Sequence, residues 1–226
     1  MNKANFFCLA ILIFLLGGCT QQKQYEKVAQ SFDYEEFGRI TDEVVATYTV
    51  DSFEQEVYRI DEYHFGSFLS YNGMKYVLGE SMSAEMLLQK TPLVFCGTDV
   101  YSWVEVKGAA YSVTRFLTIY NNEPIQALSL EGQVLYHDFD GDGKVELVVS
   151  STGSIPSQLS IVFWDEKVVS DEEEYNGTLS IDVNSAIGEH AFSVRYDEGY
   201  IYAHSGENGT DEVQYTFDGK RFIKAE

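Results

Sequence analysis

Cysteine is so scarce in this chain that no intramolecular disulfide can brace its body. Cys8 lies inside an N-terminal apolar run, Cys19 just past its end, and Cys96 alone remains beyond them. A single thiol has no partner. Cys96 follows the apolar stretch Leu93-Val94-Phe95, with no neighbouring base or helix N-terminus to activate it, and so reads as a buried, inert thiol. Basic residues are also few: 15 Lys and Arg stand against 36 Asp and Glu, for a net charge of −21. That sign repels phosphate backbones and anionic lipid alike, which argues against any nucleic-acid role. The four histidines, His64, His137, His190 and His204, show no paired metal spacing. No His-Glu-x-x-His, Gly-x-Ser-x-Gly or phosphate-loop pattern occurs. His137 adjoins Asp138 and reads as a hydrogen-bonded turn histidine. A glycosidase pair of carboxylates has no sequence signature of its own, because the fold sets its geometry. With so many acids present, spacing singles out no such pair.

Long hydrophobic runs are missing as well. The longest, Phe6 to Leu16, has 11 residues, whereas a membrane-crossing helix needs roughly 20. It follows Lys3 and ends in Leu16-Gly17-Gly18-Cys19. A positive start, a short apolar core and small residues at the end make an export signal. The four residues that close it resemble the lipobox of bacterial lipoproteins. That resemblance implies a signal peptide over 1–18, cleavage before Cys19 and diacylation of the Cys19 thiol. The protein would then sit on the extracytoplasmic face of the cell membrane, its contact with the membrane being the anchor alone. Two acyl chains hold firmly where one holds marginally. Without residues 1–18 the chain carries 14 basic and 36 acidic residues, a net charge of −22. Residues 19–33 are mostly polar and read as a tether, leaving 34–226 as one folded domain.

Aromatic residues are plentiful, with 16 Tyr and 15 Phe, and favour strands. Asn72-Gly73 lies between Ser67-Phe68-Leu69 and Tyr76-Val77-Leu78, the pattern of a two-residue hairpin turn. Similar turns at Asn121-Asn122, Asp165-Glu166, Asn176-Gly177, Asp197-Glu198-Gly199 and Asp218-Gly219 separate further strand candidates. These span 113–120, 125–130, 158–164, 191–196, 200–204, 212–217 and 221–224. One or two short helices are expected near the N-terminus. One covers Ser83 to Lys90, with Pro92 just past its end, and the other runs from Tyr34 to Val45 across Gly38. The fold expected is all-β, with antiparallel sheets arranged as propeller-like blades or as a sandwich. Trp103, Trp164 and the Tyr200-Ile201-Tyr202 run are candidates for stacking on sugar rings, but core packing and hairpin pairing are the commoner uses of such residues.

One stretch carries chemistry: Asp138-Phe139-Asp140-Gly141-Asp142-Gly143-Lys144-Val145-Glu146. Calcium takes six to eight oxygen ligands. Carboxylates at alternate positions converge if the chain curls, and Gly141 and Gly143 allow the curl. Gathering four carboxylates without a cation is repulsive. Position 12 of an EF-hand would be Glu, but Val149 stands there, and a Val-rich strand pattern follows where that motif needs a helix. A strand-to-strand loop of this composition resembles the FG-GAP or VCBS repeat of β-propellers, over about Val134 to Trp164. One copy of the loop occurs. The resemblance implies a structural calcium ion held by Asp138, Asp140, Asp142, the Lys144 carbonyl and Glu146. No catalytic residue stands out, so the chain leans away from being an enzyme. Its expected role is to bind an extracellular glycan, peptide or protein. A surface hydrolase acting on carbohydrate through paired carboxylates and a structural factor of the envelope stay open beside it. Cys19→Ala is expected to abolish lipidation, which metabolic palmitate labelling reads directly.

Overall fold

The computed structural model describes residues 43–95, 97–120, 122–151, 158–164, 178–187, 193–205 and 210–225. Cys19, the tether, Cys96, His190 and residues 34–42 of the first helix candidate lie outside them, as do the turns at Asp165-Glu166 and Asn176-Gly177. The described residues form sixteen strands in four sheets. The first sheet holds β1 (Val44–Val50), β2 (Phe53–Arg59), β3 (Phe65–Tyr71) and β4 (Met74–Ser81). The second holds β5 (Gln89–Phe95), β6 (Thr98–Val106), β7 (Ser112–Tyr120) and β8 (Glu123–Glu131). The third holds β9 (Gln133–His137), β10 (Glu146–Ser151), β11 (Gln158–Trp164) and β12 (Thr178–Asp182). The fourth holds β13 (Ser193–Asp197), β14 (Tyr200–Ser205), β15 (Asp211–Phe217) and β16 (Phe222–Lys224). Each sheet is an antiparallel meander whose strands lie side by side in chain order. The all-β expectation therefore holds.

The Asn72-Gly73 hairpin forms as its sequence demands. Tyr71 pairs with Met74 across the turn, and Asn72 and Gly73 take φ of 49° and 77°. Positive φ at both central positions marks the turn whose twist matches the flanking strands.

Alternation along the strands divides the apolar residues among three cores. Phe53, Leu69 and Leu78 of the first sheet pack with Tyr101, Trp103 and Leu117 of the second. Val100, Phe116 and Leu128 of the second sheet pack with Leu147, Val149 and Val162 of the third. Val148, Leu159 and Ile161 of the third sheet pack with Val194, Ile201, Ala203 and Phe217 of the fourth. The second and third sheets are thus apolar on both faces. Neighbours such as Phe116 and Leu117, or Val148 and Val149, point into different cores.

The helix expected over Ser83 to Lys90 is not there. Met86 and Leu88 are buried while Leu87 between them is exposed, a two-residue period that suits extended chain. The side chain of Gln55, itself buried, supplies the hydrogen bonds a helix would have made internally. Its Nε2 donates to Met86 O at 2.5 Å and to Ser67 Oγ at 2.8 Å, and Leu88 N donates to its Oε1 at 2.7 Å. Burial of Met86 and Leu88 in the first core overrides local helix propensity. The second helix candidate ends inside β1, where Val44 and Val45 are strand residues. One short helix does occur, α1 (Val183–Ala186), with Asp182 as its N-cap and Val183 in the third core.

Gln55→Ala leaves one buried N–H and one buried carbonyl without partners. It is expected to lower stability by roughly 2–4 kcal/mol, measured by urea unfolding at constant m-value.

Candidate metal centre

The register of β9 against β10 builds this site. His137 lies directly opposite Glu146, so the ninth residue of the acidic stretch returns to the point where the first one leaves. Gly141 and Gly143 sit at φ of 74° and 86°, which side chains with a Cβ adopt only at a cost. The loop then closes on its own carboxylates. Asp138 accepts from Gly141 N at 2.7 Å and from Gly143 N at 3.0 Å, one through each oxygen. Asp140 Oδ1 accepts from Asp142 N at 3.1 Å, and Asp142 Oδ1 from Lys144 N at 2.8 Å. Phe139 N donates to Glu146 Oε2 at 2.9 Å.

Three of the expected ligands come together. Asp138, Asp140 and Glu146 each place a carboxylate oxygen within 4.8 Å of the others. Asp142 is outside that group, with an oxygen engaged by the Lys144 amide. The backbone amide of Lys144 donates to Asp142.

Two carboxylates at such a separation repel by about 3 kcal/mol at an effective dielectric of about 20, and by less where water screens them. Of the three, Glu146 is buried, only 5% exposed. Its pKa is pushed above the ordinary carboxylate value, first by burial and then by the charges of Asp140, Asp138 and Asp142; the Phe139 N–H opposes the shift in part. The arrangement offers three convergent, mutually repelling hard-oxygen donors, which is the donor set a calcium-sized cation prefers.

The other sequence candidates are dispersed. Trp103 is buried in the first core and donates Nε1 to Glu105 Oε1 at 3.3 Å, so it offers no face to a ligand. Tyr200 is 40% exposed, and Tyr202 lies beneath the Arg195 guanidinium at 4.0 Å. His64 pairs with Asp61 at 2.9 Å on the surface, and His204 with Glu212 at 3.1 Å. His137 packs against Phe139, with ring centroids 4.5 Å apart.

Two turn glycines lie against the site, a contact their sequence does not foretell. A Cβ added to Gly219 would lie 2.7 Å from Asp140 Oδ2, and one added to Gly199 would lie 3.1 Å from His137 Cε1. Both glycines were legible as turn residues, but nothing local to them points to a loop some 60 to 80 positions upstream. No family model matches this chain, and neither does any curated protein or solved structure.

A carboxyl whose folded pKa lies above its unfolded value destabilises the fold when ionised. The penalty is absent below the unfolded pKa, sets in as pH rises, and is complete above the folded pKa. In chelator at neutral pH, Glu146→Gln is therefore expected to melt higher than wild type, since glutamine keeps an acceptor for Phe139 N. The gap should narrow as pH falls below the folded pKa of Glu146 and vanish below its unfolded value. Paired thermal melts across that range measure it.

Proposed function

We propose that this protein is a lipid-anchored, extracytoplasmic interaction module whose β9–β10 loop takes a structural calcium ion. The observation that carries the cation is the convergence of the Asp138, Asp140 and Glu146 carboxylates around a buried, destabilised charge. Bound calcium would convert their mutual repulsion into attraction and so add to folding stability by linkage. Asp142 and the Lys144 carbonyl complete the set if the loop tightens around the ion. Extracellular calcium modules bind at about 10⁻⁴ to 10⁻³ M, a range suited to an exported protein.

The anchor rests on the leader and on Cys19, whose match to the lipobox covers all four positions of Leu16-Gly17-Gly18-Cys19. The finer architecture we propose is a stack of propeller-like blades. Four meanders follow one another in chain order, with a core between each neighbouring pair. That arrangement fits the FG-GAP or VCBS resemblance of the loop. The interaction role follows from pairing an anchor with a β domain in which no catalytic group is assembled among the described residues. Its partner would be a glycan, peptide or protein outside the cell.

Calcium is expected to raise the melting temperature of the mature domain, and Asp140→Ala to remove that response. Calorimetric titration together with thermal melts decides it; an undiminished response in the variant would sink the ligand assignment. Robust turnover of a polysaccharide, abolished by one Asp or Glu substitution, would defeat the interaction reading.

A further inference from the structure

The loop that carries the carboxylates is wedged into the fourth sheet by residues interleaved with its ligands. Phe139, between Asp138 and Asp140, packs edge-on against Phe217 of β15 at 5.7 Å and against Tyr196 of β13 at 5.9 Å. His137 lies 5.8 Å from the Tyr196 ring. The β13–β14 turn then passes over His137, where Gly199 at φ 89° leaves room for the imidazole. The β15–β16 turn passes over Asp140, where Gly219 at φ 83° leaves room for the carboxylate and its Cβ. That second turn is itself braced, since Asp218 Oδ1 accepts from Lys220 N at 3.0 Å and from Arg221 N at 2.9 Å.

From this packing we infer that the β9–β10 loop is a clasp, transmitting its own order to the β13–β14 and β15–β16 turns of the fourth sheet and not to the first sheet. The mechanical half stands on ring packing and on the two glycine clearances. The half that names calcium as the ordering agent rests on the cation reading above. Fixing Asp138, Asp140 and Glu146 around one point fixes the backbone of Phe139, whose N–H is held by Glu146. Phe139 in turn sets the positions of Tyr196 and Phe217. Among the described residues the first sheet packs on the second and contributes none to the core that holds Phe139, Tyr196 and Phe217.

The test is amide hydrogen exchange by mass spectrometry on the mature protein, in chelator and in calcium chloride, for wild type and for Phe139→Ala. Calcium is expected to slow exchange by about tenfold or more in 138–146, 197–201 and 217–222, leaving 53–81 unchanged. Phe139→Ala should speed exchange in the two turns even in chelator. If the alanine variant loosens 53–81 as well, it has destabilised the whole fold. Phe139→Leu then replaces it, keeping bulk while losing the edge-on ring contacts. Turn exchange that ignores both calcium and the Phe139 substitution overturns the clasp. Absence of calorimetric heat and of calcium protection anywhere sinks the cation reading alone, and the variant in chelator still decides the clasp.

Discussion

The two inner sheets must satisfy two cores at once, and the rest of the molecule follows from that. In β10, Leu147 and Val149 face the second sheet while Val148 faces the fourth. In β7, Phe116 and Leu117 divide in the same way between the third sheet and the first. Because successive side chains point to opposite faces, a slip of one residue in either strand would exchange the two cores. Register is therefore held from both sides, and whatever sits at the end of such a strand is held with it. Glu146, the first residue of β10, inherits this fixity through its pairing with His137.

Polar groups buried between sheets reinforce the same arrangement. Glu105 is fully buried, with Arg115 Nε at 2.8 Å and Lys107 Nζ at 2.9 Å from its oxygens. Its carboxylate occupies the space that a Cβ on Gly79 of the first sheet would need. Removing one member of such a group strands a buried charge, whereas the intact group adds less stability than its contacts suggest. Its contribution is to orientation: the second sheet can approach the first only where a glycine leaves room. The glycines over His137 and Asp140 act in the same way between the third and fourth sheets.

Much of this was legible in local pattern. The strands from β7 to β11 and from β13 to β16 lie where aromatic and β-branched runs alternate with Asn, Asp and Gly, because those turns are decided by two adjacent residues. Ser83 to Lys90 was misleading, since its helical composition is overruled by Gln55, about 30 positions upstream. The acidic stretch was legible as a loop with converging carboxylates because Asp138, Asp140 and Glu146 lie within nine positions of the chain and its glycines lie among them. Its embedding was not legible, since Gly199 and Gly219 become meaningful only once the fourth sheet is folded against the third.

This embedding also bears on what the loop is for. A carboxylate serving catalysis needs an open face for substrate. Glu146 is instead buried, engaged by Phe139 N, and on a loop backed by Phe139, Phe217 and Tyr196. The concentration of negative charge lies at a joint between two sheets, with aromatic packing on one side and backbone amides on the other. A bound cation would relieve the electrostatic strain at the place where the third and fourth sheets meet. On a chain with net charge −21, self-repulsion already works against compaction. A cation at this joint would oppose it where three carboxylates lie within 4.8 Å of one another.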